Sequence, residues 1–453
     1  MIRSLRPVFW LLCLWVMPAC TNVSTSSEST TSPSAVAADP SVTQAQPTGA
    51  IAPAPSSQIR TEPLSLAPIR VELGKLPAPY ATSSASKSPQ VIDIPANPTL
   101  KVPAGFTVNV FADGLDAPRW LALTPTGDVL VTETRQNRIR LLGDRNQDGV
   151  AEVNQTFATA NNGLNIPFGM AFAGDAFFLG NSASVLRFPY ASGQMALTGQ
   201  GQTIADLPGS GYNQHWTRNV VAAPDGKSLY VSIGSRSNAD EEPLPRASVQ
   251  VMNLDGSNQK TFASGLRNPV GLDFHPVTGE LYATVNERDG LGDDLVPDYF
   301  TRIRQDEFYG WPYAYLSPDR LDPRHLTGDR STNPTLAAQT RTPDVLFQAH
   351  SAALGVQFYD GKTFPTTYQN GAFVAFRGSW NRDQGTGYKI VFVPFGADQR
   401  PVGAYEEFVT GFLLDPARPT TWGRPVGMLV LPDGSLLFTE EANGRIYRVQ
   451  YQS

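Results

Sequence analysis

Four histidines are the only side chains here whose ordinary pKa lies near neutral pH, so a proton acceptor can be sought one residue at a time. His215, in GYNQHWTRNVVAAPDG, and His350, in FQAHSAALGVQFYDG, each stand where a loop hands over to an alternating apolar segment. For both, the residue type admits a general base or a packed polar group. His275, in FHPVTGE, and His325, in PDRLDPRHLTGDR, lie in turn-rich polar stretches and read as surface residues. A second constellation follows the ends of such segments: Arg236 and Asn238 in IGSRSN, Asn286, Glu287, Arg288, Asp293 and Asp294 in VNERDGLGDD, and Arg377, Trp380, Asn381 and Arg382 in FRGSWNR. Arginine offers a carboxylate two parallel N–H groups, and carboxylate or carbonyl oxygens suit a hard cation. Such a set either holds an anionic ligand bridged by Ca²⁺ or ties its loops together with ion pairs. Separately, Asp144, Asn146, Asp148 and Gly149 in DRNQDGVAE follow the D-x-N-x-D-G opening of a calcium loop, with Glu152 too early for the closing bidentate position. A structural Ca²⁺ and an Asx turn both satisfy that pattern.

The elements that must gather these residues repeat. An apolar lead-in, a turn and an alternating strand recur as LALTPTGDVLVTE (121–133), GMAFAGDAFFLGN (169–181) and VVAAPDGKSLYVSIG (220–234). Three more follow, GLDFHPVTGELYATVNE (271–287), GVQFYDGKTFPTTYQNGAFVAFRG (355–378) and GMLVLPDGSLLFTEE (427–441). The early copies are spaced by about 50 residues, the length of a propeller blade. The pattern predicts an all-β chain: a six-bladed β-propeller with four-stranded antiparallel blades over residues 100–453, its strand ends converging on one central mouth. A different all-β array, such as a pair of sandwiches, is the alternative. The wider gaps around 313–350 and 383–425 read as insertions.

Composition agrees with many short strands: 39 Gly and 38 Pro in 453 residues, with 2 Cys, exclude collagen-like, coiled-coil and disulfide-stapled classes. A net charge of -6 argues against nucleic acid as a partner. Residues 1–20 put Arg3 and Arg6 before the apolar run Val8 to Val16, which suits a secretory signal peptide and is too short to span a bilayer. The run closes at Ala19-Cys20, resembling a lipoprotein cleavage site. Export is therefore expected, to the periplasm or cell envelope as a lipoprotein whose only membrane contact is a lipid on Cys20, with simple secretion the alternative. Loss of Cys13 with the signal peptide then leaves no cysteine for a disulfide. Residues 21–66 read as a low-complexity disordered tether and 67–99 as an ordered N-terminal arm.

Several segments together resemble the pyrroloquinoline quinone (PQQ)-dependent sugar dehydrogenases, in particular the L-sorbosone dehydrogenase-like branch related to soluble aldose sugar dehydrogenases. They are VPAGFTVNVFADGLDAPRWL, NQHWTRNVVAAPDGKSLYVSIGSRSN, GLRNPVGLDFHPVTGELYATVNERDGLGDDL, FYGWPY, HSAALGVQFYDG, FRGSWNR and RPVGMLVLPDGSLLFTEE. The resemblance implies a six-bladed propeller, PQQ and Ca²⁺ as cofactors, a sugar substrate, and a soluble or membrane electron acceptor. It implies His215 as general base and Arg236 with Asn238 beside the cofactor. Backbone oxygens of Asn286, Glu287 and Arg288 would hold Ca²⁺, while Arg288, Arg377, Trp380 and Arg382 would surround PQQ. Two departures stand out: Asp360 where glucose-oxidising relatives have a Lys, and a longer calcium loop. A calcium-dependent propeller hydrolase and a non-catalytic binding propeller are the rival functions.

Overall fold

The computed structural model describes residues 58–209 and 211–452. The signal peptide, Cys20 and most of the expected tether therefore lie outside the described residues.

Five four-stranded antiparallel sheets and one six-stranded sheet follow one another along the chain. Each repeated unit supplies the inner two strands of one sheet. The innermost strands are Leu121–Leu123, Met170–Ala173, Val220–Ala222, Asn268–Phe274, Ala353–Phe358 and Pro425–Val430. Their partners are Val129–Glu133, Ala176–Asn181, Ser228–Ile233, Leu281–Asn286, Gly371–Phe376 and Leu436–Glu440. Each innermost strand touches those of the sheets before and after it, and the sixth returns to the first, so the arrangement is β-propeller-like. The sixth sheet joins both parts of the sequence: Arg445–Tyr451 pairs with Phe106–Ala112, with Tyr451 opposite Phe106.

Burial explains the alternation. All five residues of Val129–Glu133 and all six of Gly371–Phe376 are buried, because a strand inside such a ring is covered on both faces by neighbouring sheets. The joints between sheets rest on two devices legible in the repeats. The Thr439 hydroxyl accepts the Gly427 amide at 2.8 Å and donates to the Arg119 carbonyl of the next sheet at 2.7 Å, and Thr284 links Gly271 to Leu354 in the same way. The glycines allow the approach: a β-carbon at Gly427 would sit 2.2 Å from the Arg119 carbonyl oxygen, and one at Gly355 2.4 Å from that of Val426. Gly427→Ala therefore pushes backbone against backbone. The expected result is a loss of about 1–3 kcal/mol, read as a lower urea midpoint at unchanged m-value.

Two boundaries differ from expectation. Gln58–Pro63, placed by composition in the tether, is a strand that pairs with both Phe106–Ala112 and Thr99–Val102. It is held mainly by backbone hydrogen bonds, which composition does not report, and buries only Ile59. The 313–350 stretch does interrupt the fourth sheet, but 383–425 contains the outer strands Lys389–Pro394 and Glu406–Val409 of the fifth, so the insertion there is confined to the residues after Val409.

Candidate active site

In an antiparallel sheet the loop entering the first strand and the loop leaving the second emerge on the same side. Loops of this kind from five of the six sheets, all but the second, line a cavity of about 720 Å³. The lead-ins bring Arg119, Gln214 to Thr217, Arg267, Asn268, His350 and Arg424, and the exits bring Arg135, Asn286, Glu287, Asp289, Arg377, Trp380, Asn381 and Glu441. Trp216, Val270 and Leu354 supply apolar wall and belong to a cluster with Trp120, Phe168 and Val426.

Two of the four histidines line this cavity, and their hydrogen bonds separate them. His350 Nε2 faces the Gly292 carbonyl at 3.1 Å and Nδ1 faces the Asn381 amide at 3.0 Å, so both ring nitrogens are engaged inside the protein. His215 uses only Nδ1, 3.0 Å from Ser235 Oγ, and its Nε2 has no partner among the described residues. Burial first, then the positive charges of Arg267, Arg218 and Arg246, push the His215 pKa well below the ordinary histidine value. At neutral pH it is an uncharged imidazole with a free nitrogen lone pair. Its loop is braced from beneath by the fully buried Arg218, which donates to the carbonyls of His215 and Thr217 at 2.8 Å and of Pro208 at 2.7 Å.

Opposite charges divide the rest of the wall. Arg119 and Arg377 both bond the Glu441 carboxylate, and Arg424 stands beside them, donating to the carbonyls of Arg377 and Gly378 at 3.3 Å. Burial alone would raise the Glu441 pKa, but Arg119, Arg377 and Arg424 together bring it down to about 2. Burial, then Arg377, lowers Arg424 to about 10. Arg119 keeps Nε buried without a hydrogen-bond partner, and its guanidinium lies 4.9 Å from the Trp216 ring centre. Three cations share one anion here.

On the other side Arg267 is fully committed. It pairs with Asp289 at 3.0 Å and donates to the carbonyls of Glu287 at 2.6 Å and Asn286 at 3.4 Å. Burial raises Glu287 to about 7, and its Oε1 is buried with no partner; burial likewise raises Asp298, which accepts the Glu287 amide at 2.9 Å.

The TrAA12-like family model matches residues 100–313 and 321–452. The chain belongs to the TrAA12-like family. It is 29% identical over 365 residues to an uncharacterized protein of Borreliella burgdorferi, covering 78% of this chain and 91% of that one. Among solved structures it is similar to the iodide structure of Trichoderma reesei Carbohydrate-Active Enzymes Family AA12, at 22% identity and TM-score 0.67, covering 80% of this chain and 99% of that one. It is also similar to the holo form of the pyranose dehydrogenase PQQ domain from Coprinopsis cinerea, at 20% identity and TM-score 0.64, with the same coverage. At these identities the two structures speak for the fold.

Of the residues singled out from sequence, His215, Asn286, Glu287, His350, Arg377, Trp380 and Asn381 line the cavity of this TrAA12-like chain. Arg236, Asn238, Arg288 and Arg382 do not: the first is exposed and the other three are committed elsewhere. Arg236 is exposed, its amide bonded to the Glu242 carboxylate; Arg288 is buried against Asp322 at 2.8 Å; Arg382 pairs with Asp294 at 2.6 Å on the rim. Asn238 bonds both the amide and the carbonyl of Asp289, bracing that loop from behind. Asp144, Asn146 and Asp148 close an Asx turn on the amides of Asp148, Gly149 and Val150, and no group of three or more His, Cys, Asp or Glu side chains among the described residues is placed to hold a metal ion. His275 and His325, expected at the surface, are buried: His275 packs on Phe358 and Phe395, and His325 bonds the Ala239 carbonyl.

Sequence reasoning missed Arg119, Arg267, Arg424 and Glu441. A signal for the arginines was present. An Arg stands one or two residues before the innermost strand in APRWL, TRNVV, LRNPVG and GRPVG, four of the six repeats, and Arg119, Arg267 and Arg424 reach the cavity from there.

Proposed function

We propose that this TrAA12-like protein is a PQQ-dependent oxidoreductase that oxidises an aldose or a sugar aldehyde of the sorbosone type, with His215 as general base. One observation carries the reading: a free, uncharged imidazole nitrogen and a surplus of arginine charge share one cavity. The similarity to a domain named for PQQ and pyranose gives that cavity its chemistry.

The donor set fits the cofactor. PQQ is a planar tricarboxylate, and Arg119, Arg377 and Arg424 retain net positive charge after Glu441 is counted, with the unpartnered Arg119 Nε among them. Exposed Arg135, which has no ion-pair partner among the described residues, adds to it, and Trp380 offers a ring at the mouth. Oxygen donors of the kind Ca²⁺ takes stand on the other wall, in the carbonyls of Asn286 and Glu287, each with a second lone pair beyond Arg267, and in Glu287 Oε1. When bound, PQQ with its Ca²⁺ supplies the two-electron acceptor for hydride leaving the sugar carbon.

The chain's own residues do the rest. His215 Nε2 accepts the proton of the sugar hydroxyl, or of a hydrated aldehyde, as the C–H bond breaks, and its depressed pKa keeps that nitrogen available at neutral pH. The arginines hold and orient the anionic ring system, and the wall of Trp216, Val270 and Leu354 excludes water beside it. We read the six sheets as six blades and retain in this proposal export through residues 1–20, with lipidation at Cys20.

The test is reconstitution with PQQ and Ca²⁺ followed by dye reduction across a panel of sugars. Sugar-dependent reduction that requires PQQ supports the proposal, and its absence with every sugar rejects it. Arg377→Ala should weaken PQQ retention about 10- to 100-fold, the worth of a hydrogen bond to a charged group. Unchanged affinity in a titration followed by absorbance removes Arg377 from the cofactor's binding set.

A further inference from the structure

A free Nε2 on His215 requires that the ring's proton sit on Nδ1, and the protein contains a device that puts it there. Ser235 Oγ lies 3.0 Å from His215 Nδ1 and 2.6 Å from the Ser237 carbonyl oxygen. A hydroxyl has one proton to give, and a carbonyl can only accept. The Ser235 proton therefore goes to Ser237, and Ser235 Oγ is left to accept from Nδ1–H.

We propose that Ser235 is a positioning residue, which fixes the tautomer of His215 by spending its own proton on the Ser237 carbonyl and so turns the unprotonated Nε2 toward the cavity. The inference rests on His215 acting as the base. The surroundings make Ser235 the determinant. Ser235 is fully buried, and its backbone is fixed on both sides, its amide donating to the Arg267 carbonyl at 2.7 Å and its carbonyl accepting the His215 amide at 3.3 Å. The neighbouring Gly234 admits the imidazole, since a β-carbon there would sit 2.5 Å from His215 Cβ. The charged groups acting on the ring are Arg267 from the fourth sheet's lead-in, Arg218 from its own loop and Arg246 from the third sheet, all cations. No carboxylate is among them, so no anion competes with Ser235 for the Nδ1 proton. A neutral serine in this place orients the base while the one contact that raises the ring's pKa, the Ser235 backbone, is outweighed by burial and the arginines, whereas a carboxylate would also favour the charged form.

The experiment reads the tautomer directly. With ¹⁵N-histidine labelling, four side chains give resolvable signals, and a His215→Gln variant assigns the relevant pair in the cofactor-free protein. The expected result is an Nδ1–H, Nε2-unprotonated pattern for wild type and a mixture of tautomers in Ser235→Ala. In the reconstituted enzyme Ser235→Ala lowers kcat on the order of tenfold, as loss of a histidine's orienting partner does elsewhere. Ser235→Asp moves the acid limb of kcat/KM upward by about one pH unit or more, because a carboxylate favours imidazolium. An Nε2–H pattern in the wild-type protein overturns the proposal whatever the activity, as does a Ser235→Ala spectrum identical to wild type. A wild-type Nδ1–H pattern together with full activity of His215→Gln leaves Ser235 as the tautomer's determinant and overturns the base reading instead.

Discussion

Replacing His215 with alanine lowers kcat by about 10² or more while PQQ still titrates into the protein. The expectation follows from which groups on the wall can take a proton. His350 has both ring nitrogens bonded to Gly292 and Asn381, and Asp289 is tied to Arg267, leaving His215 Nε2 as the histidine nitrogen open to a substrate among the described residues. The sign of its pKa shift also matters. A histidine raised in pKa would lose its base function below that value within the physiological range. One pushed down by burial and three arginines stays unprotonated, so the wild-type kcat/KM plateau extends well below pH 6.5 without a limb from this group. Steady-state kinetics on the reconstituted variant, with PQQ affinity measured alongside, decide the matter. Activity within a few-fold of wild type means that another group takes the proton; a joint loss of activity and PQQ affinity means that His215 belongs to cofactor binding.

How far the site could be read in advance depends on what a residue's role requires. Ring closure needs only a repeated inner pair of strands, and each of the six copies carries its turn and alternating strand locally, with the joint glycine in four of them (Gly169, Gly271, Gly355 and Gly427), so the sheets were legible from Leu121 to Glu441. His215 was visible as a rare residue type at a strand lead-in. The arginines were not sorted correctly, because their role depends on which carboxylate each one finds in space. Arg288 lies one residue from the cavity-lining Glu287 yet turns to Asp322, while Arg424, in a segment that reads as a plain strand lead-in, stands over the Tyr388 ring and reaches the cavity. Such pairings join residues dozens to hundreds of positions apart, Arg119 to Glu441 for example, and no local pattern encodes them. The strand at Gln58–Pro63 escaped notice for a related reason: its partners are backbone groups, which every sequence has.

Glu441→Gln is the substitution with the largest expected effect on stability. The carboxylate is nearly buried and neutralises Arg119 and Arg377 directly, with Arg424 close by, so its loss leaves uncompensated positive charge in the wall. Removing one partner of a buried pair costs about 3–5 kcal/mol. Cofactor-free Glu441→Gln should therefore unfold at markedly lower urea concentration. The difference depends on pH in a defined direction. The Glu441 pKa falls from 4.5 when unfolded to about 2 when folded, so its contribution is complete above 4.5 and disappears as the pH drops through the folded value. The gap between wild type and variant should narrow between about pH 4.5 and pH 2 and stay constant above that window. An anionic ligand narrows the difference between the two proteins. Where Glu441 is missing, the carboxylates of PQQ meet more unpaired arginine charge, so saturating PQQ should raise the unfolding midpoint of Glu441→Gln by more than that of wild type. Equal increments would mean that PQQ does not rest on these arginines, and an unchanged stability of the cofactor-free variant would mean that Arg119 and Arg377 find other partners once Glu441 is gone.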